Sequence, residues 1–185
     1  MEFSLNVINN NSDKIKRGVQ KYLGIMNAFR LCDVSSDYTF QRKFKGFYRV
    51  RRNNEFCRIF FNYMESQKDN RNIKFIDVIS YIYSKTGRIE PSFSSKMLAT
   101  INANAPVWDS HVLSQLSIKP PVYSHTNRLQ ATIDTYNVLE KWYTDYLQTQ
   151  NANDIISCFD TLIQSNNLTN VKKIDLVLWC MGLKE

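Results

Sequence analysis

Residues 53–66 read NNEFCRIFFNYMES, and their apolar side chains recur with the spacing of one face of an α-helix. The side chains in this register are Phe56, Ile59, Phe60, Tyr63 and Met64. Intervals of three and four residues put them on one stripe, which is typical of a helix that buries that stripe in a core. Asn53 or Asn54 precedes the stripe as a candidate N-cap, so the sequence predicts a helix over 53–66.

The same spacing recurs on both sides of this helix. It predicts further helices over 13–30, 73–83, 92–101, 110–116, 129–147, 155–163 and 171–181. The candidate caps are Ser12 or Asp13, Asn153 or Asp154, Thr169 or Asn170, and Gly87 at the end of the third helix. A polar, aromatic connector is expected over 33–52, a charged loop over 68–72 and a linker at Lys119-Pro120-Pro121. The chain is therefore predicted to be an all-α, compact bundle of seven or eight helices.

The composition agrees with a single helical domain over 1–185. Apolar residues make up 43% of the chain and charged residues 22%, close to the average of globular proteins. Five Gly and four Pro, without strand-length alternation, argue against a β-sandwich or barrel. The glycine-rich phosphate loops of nucleotide-binding folds are also missing from the sequence.

Sequence signals for secretion, membranes or metals are missing as well. No run of eighteen apolar residues exists, and the N-terminal MEFSLNVINNNSDKIKRG lacks the apolar segment of a signal peptide. The four cysteines are widely separated, without zinc-site spacing: Cys32, Cys57, Cys158 and Cys180. We expect them to be reduced core residues of a cytoplasmic protein that has no membrane partner, metal or other cofactor.

The charge of the chain is concentrated in one segment. Twenty-four basic and seventeen acidic residues give a net charge of +7, which favours DNA or another polyanion as partner. Residues 41–60, QRKFKGFYRVRRNNEFCRIF, hold seven basic residues against Glu55, which gives +6. The candidate nucleic-acid-binding residues in this segment are Arg42, Lys43, Lys45, Arg49, Arg51 and Arg52.

Aromatic residues are interleaved with these cations. Guanidinium groups pair with phosphate oxygens, and Phe44, Phe47 and Tyr48 are candidates for stacking on unpaired bases. The alternative is a solvated basic loop whose rings lie in the core and whose arginines pair with acidic helix faces. The sequence leaves both interpretations open.

Residues 88–116 read RIEPSFSSKMLATINANAPVWDSHVLSQL and hold the candidate catalytic residue. A small-residue helix follows Glu90-Pro91, and the NANAP segment then forces a turn. Asp109 stands where the next helix begins, so its carboxylate is expected to accept backbone N–H hydrogen bonds and to be held in place, ionised. The alternative for Asp109 is an ordinary N-cap without a catalytic role.

A small-residue helix, then a turn, then Asp109-Ser110-His111-Val112 at the start of a helix is an order that resembles the active-site segment of the helix-hairpin-helix (HhH-GPD) DNA glycosylases. That family is all-α, basic and two-lobed, and it flips a damaged or mismatched base into a pocket between its lobes. The resemblance covers residues 88–116 and implies two lobes that meet near 86–121. It also implies that Asp109 assists cleavage of the N-glycosidic bond by stabilising positive charge on the sugar.

The sequence departs from the family pattern in three respects, the first of which is the missing four-cysteine iron–sulfur signature of some members. Gly87 is the one glycine where the family has an L-P-G-[VI]-G hairpin that grips phosphate. Bifunctional members carry a lysine about eighteen residues before the aspartate, whereas Lys96 precedes Asp109 by thirteen. The resemblance therefore implies a monofunctional glycosylase that hydrolyses the bond without lyase activity.

Trp108, His111 and Lys96 are the candidate substrate-binding residues around Asp109. Each has a structural alternative: Trp108 as a core residue, His111 as a surface residue, and Lys96 as a solvated helix lysine. The expected function is that of a DNA glycosylase-like, nucleic-acid-binding protein. The alternative is a helical module that binds nucleic acid or protein without catalysis.

Overall fold

The computed structural model describes residues 3–164 and 167–182, which form nine α-helices and no β-strand. The all-α prediction is confirmed. The helices are α1 (Asn6–Leu31), α2 (Tyr38–Tyr48), α3 (Asn54–Ser66), α4 (Phe75–Thr86), α5 (Pro91–Ile101), α6 (Ser110–Gln115), α7 (Arg128–Tyr146), α8 (Gln150–Ile163) and α9 (Asn170–Met181). Among the described residues, no helix has both the length and the apolar composition that crossing a bilayer requires.

α2 is the helix that the sequence analysis did not predict. It lies inside the expected connector over 33–52, so that prediction is wrong for these residues. Phe40, Phe44 and Tyr48 recur at intervals of four and are buried, which gives the segment one apolar stripe despite its basic composition. The Asp37 side chain caps the helix by accepting a hydrogen bond from the backbone N–H of Phe40 at 2.9 Å.

Two predicted helix starts are also wrong. α1 already includes Ser12 and Asp13, because the buried Ile8 extends its apolar stripe by two turns toward the N-terminus. α8 begins after Thr149 and not at residues 153–154, because the Thr149 hydroxyl provides the cap. Both errors concern the ends of helices whose existence the periodicity predicted.

Three predicted helix ends are confirmed. The Asn53 side chain accepts a hydrogen bond from the Phe56 N–H at 2.9 Å, and the Thr169 hydroxyl accepts one from the Lys172 N–H at 3.2 Å. Gly87 ends α4 with φ of 66°, a left-handed conformation that glycine adopts without strain. Each of these caps joins residues that are close together in the sequence, so the sequence alone was enough to predict them.

The chain groups into two structural units. Unit 2 is Gln20–Asn102, and unit 1 contains the residues up to Val19 and from Ala103 onward. α1 belongs partly to each unit. The predicted linker at Lys119-Pro120-Pro121 lies within unit 1, in the connection from α6 to α7.

Aromatic rings form the core of unit 2. The Phe44 ring centroid lies 5.7 Å from that of Phe60 and 5.6 Å from that of Phe61, and Phe40 lies 6.1 Å from Phe61. All four side chains are almost fully buried, so they join α2 to α3 through a continuous apolar contact. α4 packs on both α3 and α5, which holds the connection between α4 and α5 in place.

Unit 1 is organised around α9, which packs against α6 and α8 and is buried along residues 171–178. Three of these buried residues are charged and form short ion pairs. Lys172 Nζ lies 2.7 Å from Asp175 Oδ2, and Lys173 Nζ lies 2.7 Å from Asp160 Oδ2. Burial and the neighbouring Asp175 carboxylate raise the pKa of Tyr143 well above its ordinary value, so this hydroxyl stays protonated and donates to Asp175.

Candidate functional site

A short connection between α2 and α3 exposes two of the predicted cationic residues. Arg49 ends α2 in the left-handed region with φ of 54°, and the Asn53 cap starts α3 four residues later. Three residues therefore separate Arg49, at the end of α2, from Asn53, the cap of α3. Arg51 and Arg52 lie in this connection and are exposed.

A second short connection joins α4 to α5. The Gly87 N–H donates to the Tyr83 carbonyl oxygen at 2.8 Å, and Pro91 begins α5 at a position where a missing N–H costs nothing. Residues 87–90 therefore turn the chain directly from one helix into the next. Lys85 lies in the last turn of α4, before Gly87, and Arg88 follows Gly87 in this connection; both are exposed.

Arg52 links the two connections. Its Nε lies 2.9 Å from Glu90 Oε1 and its Nη2 lies 2.9 Å from Glu90 Oε2, a bidentate ion pair. Its guanidinium carbon also lies 4.8 Å from the centroid of the Phe93 ring. This agrees with the interpretation that arginines of 41–60 pair with acidic residues. Arg52 therefore fixes the geometry of the site, and its charge is largely neutralised by Glu90.

The two connections line a groove of about 720 Å³ within unit 2. The residues that line it are Arg51, Arg52, Asn53, Glu55, Phe56, Ile59, Lys85, Thr86 and Arg88. Four of them are basic and one is acidic. Within the described residues, Arg51, Lys85 and Arg88 have no carboxylate partner, so these three charges remain available to an anionic ligand.

Lys85 and Arg88 are the groove residues that the sequence analysis missed. They lie more than thirty residues beyond Arg51 in the sequence, outside the basic segment 41–60. The feature of the sequence that could have identified them is a pair of basic residues on either side of a glycine that ends a helix. Their proximity to Arg51 depends on the packing of α3 on α4, which composition does not reveal.

The other predicted phosphate-binding residues do not line the groove. Arg42, Lys43 and Arg49 are exposed, and Lys45 is half-buried. Their role in nucleic-acid binding stays a prediction.

The structure settles the position of the aromatic rings in the basic segment. Phe44 and Tyr48 are buried, and Phe47 is half-buried with its ring centroid 4.8 Å from that of Tyr48. Phe44 and Tyr48 are therefore core residues, which confirms the alternative interpretation for these two rings.

Asp109 has the predicted local geometry. It is the N-cap of α6, and its Oδ1 accepts a hydrogen bond from the His111 N–H at 2.9 Å. Two hydroxyl groups of unit 1 hold the preceding turn: Thr169 donates to the Ala103 carbonyl at 2.7 Å and Tyr136 donates to the Pro106 carbonyl at 2.8 Å. The half-buried carboxylate is thus held by its own helix and by an anchored turn.

The candidate residues around Asp109 differ in environment. Trp108 is buried, as the core alternative expects. His111 is half-buried and packs against Gly182, where any β-carbon would overlap the His111 side chain. A glycine at 182 is therefore required for α6 and the end of α9 to approach this closely. Asp109 belongs to unit 1 and is not among the residues that line the groove of unit 2.

Lys96 is not a solvated helix lysine, and that alternative is wrong. Its side chain is buried, and Nζ donates to the Tyr48 carbonyl oxygen at 3.2 Å and to the Ser92 hydroxyl at 2.9 Å. A buried ammonium group needs such acceptors, which explains its position between two elements of unit 2. A substrate-binding role for Lys96 stays a prediction, and it would require these hydrogen bonds to be exchanged.

The four cysteines are free thiols, with Cys57 and Cys180 buried. Burial raises the pKa of the Cys180 thiol to about 11, so this side chain stays protonated at neutral pH. Within residues 3–164 and 167–182 no three His, Cys, Asp or Glu side chains cluster in a way that could hold a metal ion.

Comparisons of the chain with protein-family models, with curated proteins and with solved structures find no match.

Proposed function

We propose that this protein binds nucleic acid by contacting the phosphate backbone in the groove of unit 2. The observation that supports the proposal is the convergence of Arg51, Lys85 and Arg88 on one groove, without carboxylate partners in the described residues. Guanidinium and ammonium groups pair with phosphate oxygens and release condensed counterions when they do so. The Arg52–Glu90 ion pair keeps the two connections in a fixed geometry, so less conformational freedom is lost on binding.

The salt dependence of binding tests this proposal. With three phosphate contacts, the logarithm of the duplex-DNA association constant is expected to fall with the logarithm of salt concentration at a slope of about −2.7. Arg51→Ala, Lys85→Ala and Arg88→Ala are each expected to reduce the size of the slope by about 0.9. Fluorescence anisotropy with a labelled duplex over a range of salt concentrations measures both quantities.

Arg58→Ala is the matched control for these three substitutions. It removes an exposed arginine of α3 that does not line the groove, so we expect the slope to stay within about 0.3 of wild type. A slope near zero for the wild-type protein would contradict the proposal. Slopes that the three alanine variants leave unchanged would assign any binding to another surface.

A second candidate function is hydrolysis of the N-glycosidic bond of a damaged base, with Asp109 as the catalytic carboxylate. The observation that favours it is the position of the Asp109 carboxylate. This group caps α6 and follows a turn that the hydroxyls of Tyr136 and Thr169 hold in place by hydrogen bonds. A fixed negative charge stabilises the oxocarbenium character that develops as the base leaves. Water would then add to the sugar and leave an abasic site in the strand.

Asp109→Asn separates catalysis from capping. Asparagine is as good an N-cap as aspartate but carries no charge, so the variant is expected to fold normally and to release bases at least about 100-fold more slowly. The assay incubates duplexes that contain various damaged bases and detects alkali-labile abasic sites. Asp37→Asn, the equivalent change at the cap of α2, is the control and should retain activity.

Two outcomes would contradict the catalytic assignment. Base release that survives Asp109→Asn unchanged would exclude Asp109 as the catalytic carboxylate. If the wild-type protein releases no base from any lesion but binds DNA with the expected salt slope, the groove proposal stands and the protein is a binding module.

A further inference from the structure

The connection from α6 to α7, residues 116–127, presents an apolar pair at its tip. Val122 is 66% exposed and Tyr123 is 86% exposed. The His125 N–H donates to the Val122 carbonyl oxygen at 3.1 Å, which closes a turn with Tyr123 and Ser124 at its two corners. Pro120 and Pro121 precede the turn and restrict its backbone. The Tyr123 ring is therefore held outward on a short, stiff turn.

A cation lies against this ring. The guanidinium carbon of Arg128 is 4.5 Å from the centroid of the Tyr123 ring, within the range of a cation–π interaction. Arg128 is the first residue of α7, so its backbone is fixed by the helix. Its Nε is buried and has no hydrogen-bond partner among the described residues. The stack restricts the ring, so a ligand that stacks on its open side finds it largely preorganised.

The sequence around this turn contains no negative charge. Between Asp109 and Asp134 there is no acidic residue, whereas Lys119 and Arg128 are both basic. An exposed ring with a guanidinium group against it suits a ligand that has a flat face and an anionic backbone. A protein partner is a poorer match, because two side chains offer far less than the roughly 800 Å² that each side of a stable protein interface buries.

We propose that Tyr123 stacks on an unpaired base of a nucleic acid, with Lys119 and Arg128 close to the flanking phosphates. This inference rests on the proposed nucleic-acid binding and adds a ligand preference to it. Aromatic stacking on bases tolerates any sequence, because every base has a flat face. In duplex DNA the bases are already stacked on each other, so the Tyr123 contact is specific to single-stranded or unpaired regions.

Tyr123→Ala and Tyr123→Phe test the proposal. Fluorescence anisotropy measures their affinity for a labelled oligothymidylate and for the same strand annealed to oligoadenylate. Tyr123→Ala is expected to bind the single strand about tenfold more weakly and the duplex as wild type does, whereas Tyr123→Phe keeps the ring and should retain affinity for both. A fluorescent base analogue in the strand should be quenched by the wild-type protein and not by Tyr123→Ala.

Tyr38→Ala is the matched control, because Tyr38 is 84% exposed and has no cation over its ring in the described part of the chain. It is expected to bind both oligonucleotides like the wild-type protein. Unchanged single-strand affinity in Tyr123→Ala, or an equal loss in Tyr38→Ala, would overturn the proposal. If the wild-type protein bound neither oligonucleotide, the proposed function itself would fail. Normal wild-type binding with an unaffected Tyr123→Ala would remove this inference alone.

Discussion

The triple variant Arg51→Glu, Lys85→Glu, Arg88→Glu is expected to bind duplex DNA at least about 1,000-fold more weakly than the wild-type protein near 0.1 M salt. The three side chains line one groove and have no carboxylate partner in the described residues. Each phosphate contact is worth about tenfold in affinity near 0.1 M salt through counterion release, and the introduced glutamates add repulsion. Fluorescence anisotropy measures the affinity. Circular dichroism checks the fold, which we expect to be kept because all three residues are exposed.

A second triple variant controls for net charge. Lys16→Glu, Arg17→Glu and Lys21→Glu replace three exposed basic residues of α1, and either triple variant changes the formal net charge from +7 to +1, since three reversals remove six units. We expect the α1 variant to lose less than about threefold in affinity. Similar losses in both variants would mean that overall charge, and not the groove, determines binding.

The sequence predicted the interactions that lie within a few residues of each other. The caps at Asn53, Asp109 and Thr169 are confirmed, because an N-cap joins a side chain to a backbone N–H two or three residues away. The apolar stripes predicted eight of the nine described helices for the same reason. α2 carries an equivalent stripe at Phe40 and Phe44, but its dense basic residues led to the interpretation of a connector.

The sequence predicted some of the basic residues that line the groove but not all of them. Arg51 belongs to the basic segment, whereas Lys85 and Arg88 reach the same groove through the packing of α4 on α3. The sequence likewise did not reveal that Glu90 neutralises Arg52, since the two residues are thirty-eight positions apart. Contacts between distant segments decide which of several basic residues remain free for a ligand.

α9 is the clearest case of tertiary structure overriding a sequence pattern. Its apolar residues predicted a helix with one buried stripe, but residues 171–178 are buried on every face. Lysine and aspartate are rarely buried unless they are paired, and here the partner of Lys173 comes from α8. The position of α9 matters for the candidate site, because α6, which Asp109 caps, packs on it.

Asp175→Leu is expected to lower the free energy of unfolding by about 3 to 5 kcal/mol. The side chains of Lys172 and Asp175 are 7% and 8% exposed, and their charged atoms lie 2.7 Å apart. The substitution removes the carboxylate from a buried ammonium group and also removes the acceptor of the Tyr143 hydroxyl at 3.3 Å. Urea unfolding followed by circular dichroism measures the change.

Two further variants separate burial from ion pairing. Lys172→Met with Asp175→Leu removes both charges, so it is expected to recover most of the lost stability, because no unpaired charge stays in the core. Asp145→Leu breaks the ion pair with Lys141, whose side chains are 76% and 62% exposed, and should cost less than about 1 kcal/mol. Equal losses from Asp175→Leu and Asp145→Leu would contradict the argument, since water screens the exposed pair and not the buried one. A double variant as unstable as Asp175→Leu would mean that the ion pair itself stabilises the packing of α9. The loss in Asp175→Leu would then not be due to an unpaired charge.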